Sequence, residues 1–274
     1  MLKGVLRALA MLPLSLFHVM GKLVGRLIYL LSPAYASKLR ENLKASRCYG
    51  SDAEYERLLS ASISESGKAL LELIPLWFGG NVQKRVACSD WSIVDEAAAA
   101  GRGIIFLTPH LGCFEISALY CAQIMPITVL YRRPKLRWLE SFMMAGRKSL
   151  SLAPADLSGV RKLLKALKKG EAIGLLPDQA PGAGEGEWAD FFGRPAYTMT
   201  LAGRLQETGA AVIMAFAERL PKGRGYALHL SEVKEKLTPA SLNRAIEDLV
   251  RTCPAQYLWS YNRYKIPAGA KPRD

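Results

Sequence analysis

Between residues 83 and 252 the chain alternates apolar, strand-like runs with amphipathic stretches. The runs lie at 83–88, 103–108, 127–131, 172–176, 211–217 and 226–233. The helical stretches lie near 91–100, 113–124, 135–148, 157–169, 197–208 and 238–252. Alternation of this kind predicts strands joined by crossover helices. Runs such as Gly103-Ile104-Ile105-Phe106-Leu107 are apolar throughout, as strands covered on both faces must be. The expected architecture is an α/β fold, a three-layer α/β/α sandwich with a mixed central sheet, preceded by helices. Residues 33–48 read as one helix, with Ser32 as cap and Pro33 at the first helical position. Residues 52–78 read as another, capped by Ser51 or Asp52, with Leu58, Leu59, Ile63, Leu70, Leu71 and Ile74 at helical spacing. Gly79-Gly80-Asn81 marks a break.

The first residues are mostly apolar. From Ala8 to Gly21 there is no charged side chain, but the stretch is shorter than the ~20 residues an ordinary membrane span needs. Lys3, Arg7, His18, Lys22 and Arg26 fall within an arc of about 140° at helical periodicity. The result is a basic stripe on an otherwise apolar helix, which favours the interface of an anionic membrane. Pro13 should kink or split that helix. No small-residue cleavage site follows, as a secretory signal would require. An interfacial helix, a tilted single span and a helix packed on its own domain all remain open. The expected division is a membrane-anchoring helix at 1–31 and one domain at 32–274.

Thirty-seven Lys and Arg against 24 Asp and Glu give a net charge of +13, which points to an anionic partner. Neither an aromatic RNA-binding strand signature nor a Cys/His finger is present, so nucleic acid is the weaker candidate. The five cysteines are widely spaced with no C-x-x-C, which fits a reducing compartment. With only three histidines, His18, His110 and His229, a multi-histidine metal site is improbable.

Chemistry concentrates at two predicted strand ends, the place where α/β proteins bind ligands. The run ending at Leu107 continues Thr108-Pro109-His110-Leu111-Gly112-Cys113-Phe114-Glu115. A carboxylate within reach of His110 would fix its tautomer and stabilise its imidazolium, making it a competent general base. Glu115 is the nearest in sequence, and Gly112 would give a substrate room to approach. The plainer reading is a buried histidine and a solvent-facing glutamate. The run ending at Leu176 continues Pro177-Asp178-Gln179, a second polar pair that suits either a site or a turn. Phe191-Phe192 suits an acyl-chain pocket or the core. Arg132, Arg133, Lys135, Arg137, Arg147 and Lys148 follow the third run, and arginine there suits phosphate or carboxylate. The basic helix around Arg161–Lys169 suits an acidic protein, an anionic bilayer or plain solvent.

Taken together these blocks resemble the lipid A late acyltransferases, within the lysophospholipid acyltransferase superfamily. The resemblance runs through Pro109-His110-Leu111-Gly112-Cys113-Phe114-Glu115, Tyr131-Arg132-Arg133-Pro134, Arg147, Pro177-Asp178-Gln179, Phe191-Phe192-Gly193-Arg194-Pro195-Ala196, and the tail from Pro254 to Lys265. It implies transfer of a fatty acyl group from acyl carrier protein to a hydroxyl of a lipid A precursor, at the cytoplasmic face of the bacterial inner membrane. It implies His110 as base and Glu115 as its partner. Gly112, Arg132, Arg147, Asp178 and Gln179 would support the site or bind substrate, with no metal or organic cofactor. The oxyanion would fall to backbone N–H groups near Gly112 or to an arginine. The rivals are an acyltransferase using acyl-CoA on a lysophospholipid or other glycolipid, and a non-catalytic lipid-binding protein of the same fold.

Overall fold

The computed structural model describes residues 2–80, 83–134, 137–270 and 272–273. Asn81 of the expected break and Lys135 of the basic cluster lie outside the described residues. The chain opens with α1 (Leu2–Leu9), α2 (Leu14–Leu31), α3 (Pro33–Ser46), α4 (Asp52–Leu71) and α5 (Leu73–Phe78). It continues through β1 (Val86–Cys88), α6 (Ser92–Ala99), β2 (Ile104–Leu107), α7 (Phe114–Cys121), β3 (Ile127–Tyr131), α8 (Arg137–Gly146), β4 (Ser151–Pro154), α9 (Leu157–Lys168) and β5 (Ala172–Leu175). The hairpin β6 (Gly186–Phe191) and β7 (Arg194–Met199), α10 (Leu201–Gln206), β8 (Ala211–Arg219), β9 (Tyr226–Glu232) and α11 (Pro239–Thr252) complete it.

The central sheet has the order β1-β9-β8-β2-β5-β3-β4. Every neighbouring pair is parallel except β8 with β9, so the sheet is mixed, as expected. β2 lies between β8 and β5 and is buried along its whole length. Its side chains alternate between two cores. Ile105 and Leu107 face the layer built by α3, α4 and α9 to α11, and Ile104 and Phe106 face the layer of α6 and α7.

The structure departs from the expected elements at three places. The helix expected over 52–78 is split at Glu72, because Pro75 has no N–H to give the carbonyl of Leu71. Residues 151–154, between the helices expected near 135–148 and 157–169, form the edge strand β4, whose brevity and terminal proline hid it. The helix expected from 197 begins at Leu201, because Tyr197–Met199 belong to β7. The β6–β7 hairpin turns at Phe192 and Gly193, both with positive φ (48° and 69°), the backbone of a tight hairpin turn. It delivers Phe191 and Phe192 into the core against Tyr257, Trp259 and Tyr264.

At the N-terminus Pro13 separates α1 from α2, as expected. Of the expected basic stripe, Arg7, Lys22 and Arg26 are exposed. His18 is not: it is only 5% exposed and stands 3.8 Å from the carboxylate of Glu72, because it shares the inward arc of α2 with Leu14, Phe17, Gly21 and Gly25. On that arc α2 crosses α4 at backbone contact. A Cβ on Gly67 would stand 2.0 Å from the Gly21 carbonyl oxygen, and one on Gly25 would stand 2.2 Å from that of Ile63. The opposite side of α2 exposes Leu16, Val19, Leu23, Leu27, Leu30 and Leu31.

The helical part is tied to the sheet by a buried ion cluster. Arg219, at the end of β8, donates from Nε to Glu72 Oε2 (2.7 Å), from Nη2 to Glu72 Oε1 (2.6 Å) and from Nη1 to Glu65 Oε2 (2.7 Å). Tyr226 donates its hydroxyl to Glu72 at 3.0 Å, and Lys68 pairs with Glu65. Burial works to raise the Glu72 pKa, but the Arg219 charge and hydrogen bonds overcome it and hold the carboxyl down to about 2.

Gly67→Ala should lower stability by roughly 1–3 kcal/mol in urea titrations, the cost of overpacking a rigid contact. Gly4, where an added methyl would meet only open space, should tolerate alanine without loss. A carboxyl depressed to about 2 contributes stability that is complete above its ordinary pKa near 4.5 and fades as pH falls towards about 2. Acid titration should therefore show the parent losing about 3 kcal/mol from this group over that window. Glu72→Gln should begin less stable at neutral pH and change less across the same window.

Candidate active site

The site follows from the β2–β5 register. Leu107 pairs with Leu175 at the carboxyl ends of the two parallel strands, and three residues beyond each stand His110 and Asp178. Thr108 extends the ladder by donating its N–H to the carbonyl of Leu175 at 2.9 Å. The two segments therefore leave the sheet side by side, at the end where α/β sheets hold their ligands.

Asp178 grips His110 twice. One carboxylate oxygen accepts the His110 backbone N–H at 2.9 Å, and the other lies 2.8 Å from ring Nδ1. An ionised carboxylate only accepts, so Nδ1 carries the proton and Nε2 presents a lone pair. The Gln179 amide nitrogen lies 3.3 Å from Nε2, and the Phe114 ring is centred 4.8 Å from the imidazole. Asp178 is buried, which would raise its pKa. The His110 ring and its hydrogen bonds from ring and backbone act more strongly, and the carboxyl sits below the usual range. Tyr257 is buried beside it, and burial first, then the Asp178 charge, pushes its hydroxyl well above the usual tyrosine range.

Glu115, expected to hold the imidazole, is engaged elsewhere. It sits in the first turn of α7, buried, and accepts from Arg147 Nε at 2.7 Å, from Arg147 Nη2 at 2.6 Å and from the Trp77 indole at 2.7 Å. The pair is a two-pronged guanidinium–carboxylate bond, the stronger kind. Burial disfavours the Arg147 charge, but the hydrogen bond and charge of Glu115 raise its pKa overall. The carboxylate that meets His110 Nδ1 is thus Asp178 and not Glu115. The reason is strand pairing, which sequence distance does not reveal.

Gly112 is also corrected. It adopts φ +61°, and a Cβ there would stand 2.1 Å from the carbonyl oxygen of Ala217. The space it frees is taken by β8, not left for a substrate. Its N–H donates to the carbonyl of Gln256 at 3.1 Å, and that of Cys113 donates to Ala217 at 2.8 Å. Those two amides are therefore occupied and are not available to an oxyanion. Arg132 is exposed on the segment leaving β3, and Arg133 beside it pairs with Glu140 at 3.2 Å. Among the described residues no group of three or more His, Cys, Asp or Glu converges as metal ligands would.

Trp77, Tyr257 and Gln256 join the site, although nothing in their own spacing marks them. Trp77 reads as one more apolar position of a helix. Tyr257 and Gln256 lie in the C-terminal block, where only the resemblance draws attention to them.

The chain is similar to the lipid A biosynthesis palmitoleoyltransferase of Escherichia coli (strain K12), at 26% identity over 97% of this chain and 90% of that protein. It is similar to the lauroyltransferase of the same strain at 26% identity, over 98% and 92% of the two chains. It is similar to the myristoyltransferase at 23%, over 88% and 77%. The family model described as bacterial lipid A biosynthesis acyltransferase matches residues 1–266, and the chain belongs to that family.

Proposed function

We propose that this acyltransferase moves a fatty acyl group from the thioester of acyl carrier protein to a hydroxyl of a lipid A precursor, with His110 as general base. The observation that carries this reading is the double hold of Asp178 on His110, which puts the ring proton on Nδ1 and leaves Nε2 as the basic nitrogen, met by the Gln179 amide that an acceptor hydroxyl would displace. His110 Nε2 removes the proton of the acceptor hydroxyl as its oxygen attacks the thioester carbonyl carbon. Asp178 stabilises the resulting imidazolium, as the carboxylate of a serine-protease triad does. The tetrahedral intermediate collapses by breaking the carbon–sulfur bond, and the imidazolium returns its proton to the departing thiolate. Glu115 and Trp77 hold Arg147, whose guanidinium faces the developing oxyanion or a phosphate of the acceptor. Gln179 steadies the ring, and exposed Arg132 serves the anionic acceptor.

The same reading places the enzyme on the cytoplasmic face of the bacterial inner membrane. The face of α2 opposite its glycines exposes a run of leucines, with Lys22 and Arg26 beside it. The glycine face is seated on α4, and α4 is bonded to β8 through Glu65. A helix fixed in this way lies in the membrane interface along the side of its domain, leucines in the acyl region and cations at anionic headgroups. This disposition gives a water-soluble carrier and a lipid acceptor access to one site.

His110→Ala should lower transfer by about 10²–10⁴, and Asp178→Asn should cost a comparable factor by releasing the wrong tautomer. Glu115→Gln should cost about 10² through Arg147 while leaving the His110–Asp178 bond intact. Assays pairing acyl carrier protein and CoA donors with lipid A precursor and lysophospholipid acceptors would read these rates; a parental rate for folded His110→Ala would exclude the mechanism, and a preference for CoA would exclude the donor. Replacing Leu23 and Leu27 together by Asp should reduce binding to anionic vesicles by at least about tenfold, since each leucine contributes roughly 1.5 kcal/mol or more when buried. Undiminished co-sedimentation would show that α2 does not face the bilayer.

A further inference from the structure

We propose that Arg219 is a positioning residue for acyl transfer, holding the turn that carries His110 through the carbonyl of Gly112. The inference rests on the reading of His110 as the base. Arg219 is buried, and Glu72 and Glu65 take one donor from each of its three nitrogens. A further N–H, on Nη2, donates to the Gly112 carbonyl at 3.1 Å, two residues after His110.

Gly112 is held on every side. Its carbonyl is bonded to Arg219, its N–H to the carbonyl of Gln256, and its Cα lies against the carbonyl of Ala217. The Gln256 side chain in turn clamps the Arg219 backbone, accepting its N–H at 2.8 Å and donating to its carbonyl at 3.0 Å. One step further, the Leu258 N–H donates to the carbonyl of His110 at 3.0 Å. The end of β8 and the 256–258 segment thus form a rigid seat for the turn, with Arg219 as the side chain that joins them to α4. A buried ion cluster adds little net stability over a well-packed apolar one. What it does supply is a defined place for each group it touches. For a base that must meet a hydroxyl within hydrogen-bond reach, displacement of the ring by about 1 Å can cost about 10² in rate.

Arg219→Lys keeps the cation between Glu72 and Glu65 but cannot bond both and Gly112 in the same fork geometry. In the full-length protein this variant should stay folded and lose at least about tenfold in kcat, with KM for donor and acceptor within about twofold. Imidazole ¹⁵N spectra supply the readout that a purely structural role would not move. The chain has three histidines, and His110→Ala assigns the signal. The parent should show His110 with its proton on Nδ1, and Arg219→Lys should show a mixture of tautomers. Should the lysine variant not fold, Gln256→Ala, which removes the clamp and leaves the ion cluster, should move both readouts in the same direction to a smaller extent. A kcat within twofold of the parent, or a lost rate with an unchanged His110 spectrum, overturns the proposal. A parental rate in His110→Ala would instead overturn the reading of the base, while the spectra would still judge whether Arg219 positions the ring.

Discussion

The bond between Asp178 and His110 organises the rest of the structure. Two parallel strands end in register, and the chain leaving one supplies an imidazole while the chain leaving the other supplies a carboxylate. Because Asp178 also takes the His110 backbone N–H, ring and main chain are held by the same group. Burial works to raise the pKa of that carboxyl, and the His110 ring with its hydrogen bonds holds it below the usual range. A histidine held this way depends for its position on β2 and β5, both apolar and buried along their entire length.

Around this bond the molecule separates its charges by task. Glu115 and Arg147 form one buried pair, braced by Trp77. Arg219, Glu72 and Glu65 form another, between α4 and β8. Exposed cations outside these pairs include Arg161, Lys165 and Lys168 on α9, and Lys22 and Arg26 on α2, where they flank an exposed leucine face. With a net charge of +13, a surface of this kind suits an anionic partner. The α2 helix has two sides of different kind: its glycine side packs on α4, and its leucine side is left exposed.

Much of this is legible in the sequence because periodicity is local. The β2 and β5 runs, the helices between strands and the break at Pro13 follow from side-chain spacing and from proline's missing donor. Which strands become neighbours is not local. Glu115 lies five residues from His110 and looks like its partner, whereas Asp178 lies 68 residues away and is brought in by β2–β5 pairing. The same limit hides Ala217 and Gln256, which turn Gly112 from an opening for substrate into a tight crossing of two segments of the chain. The β6–β7 hairpin escapes a sequence reading because its strands mix polar, aromatic and proline residues, a weak period-two signal. His18 falls on the basic stripe by its type, though its inward position beside Gly21 decides its burial.

The most direct measurement is the imidazole ¹⁵N and ¹H spectrum of His110 in three proteins: parent, Asp178→Asn and Glu115→Gln. If Asp178 holds the base, the parent and Glu115→Gln share a hydrogen-bonded Nδ1 proton shifted far downfield, and Asp178→Asn loses it. Loss of that proton in Glu115→Gln with its survival in Asp178→Asn would contradict the assignment and return the histidine to the carboxylate that is closest in sequence.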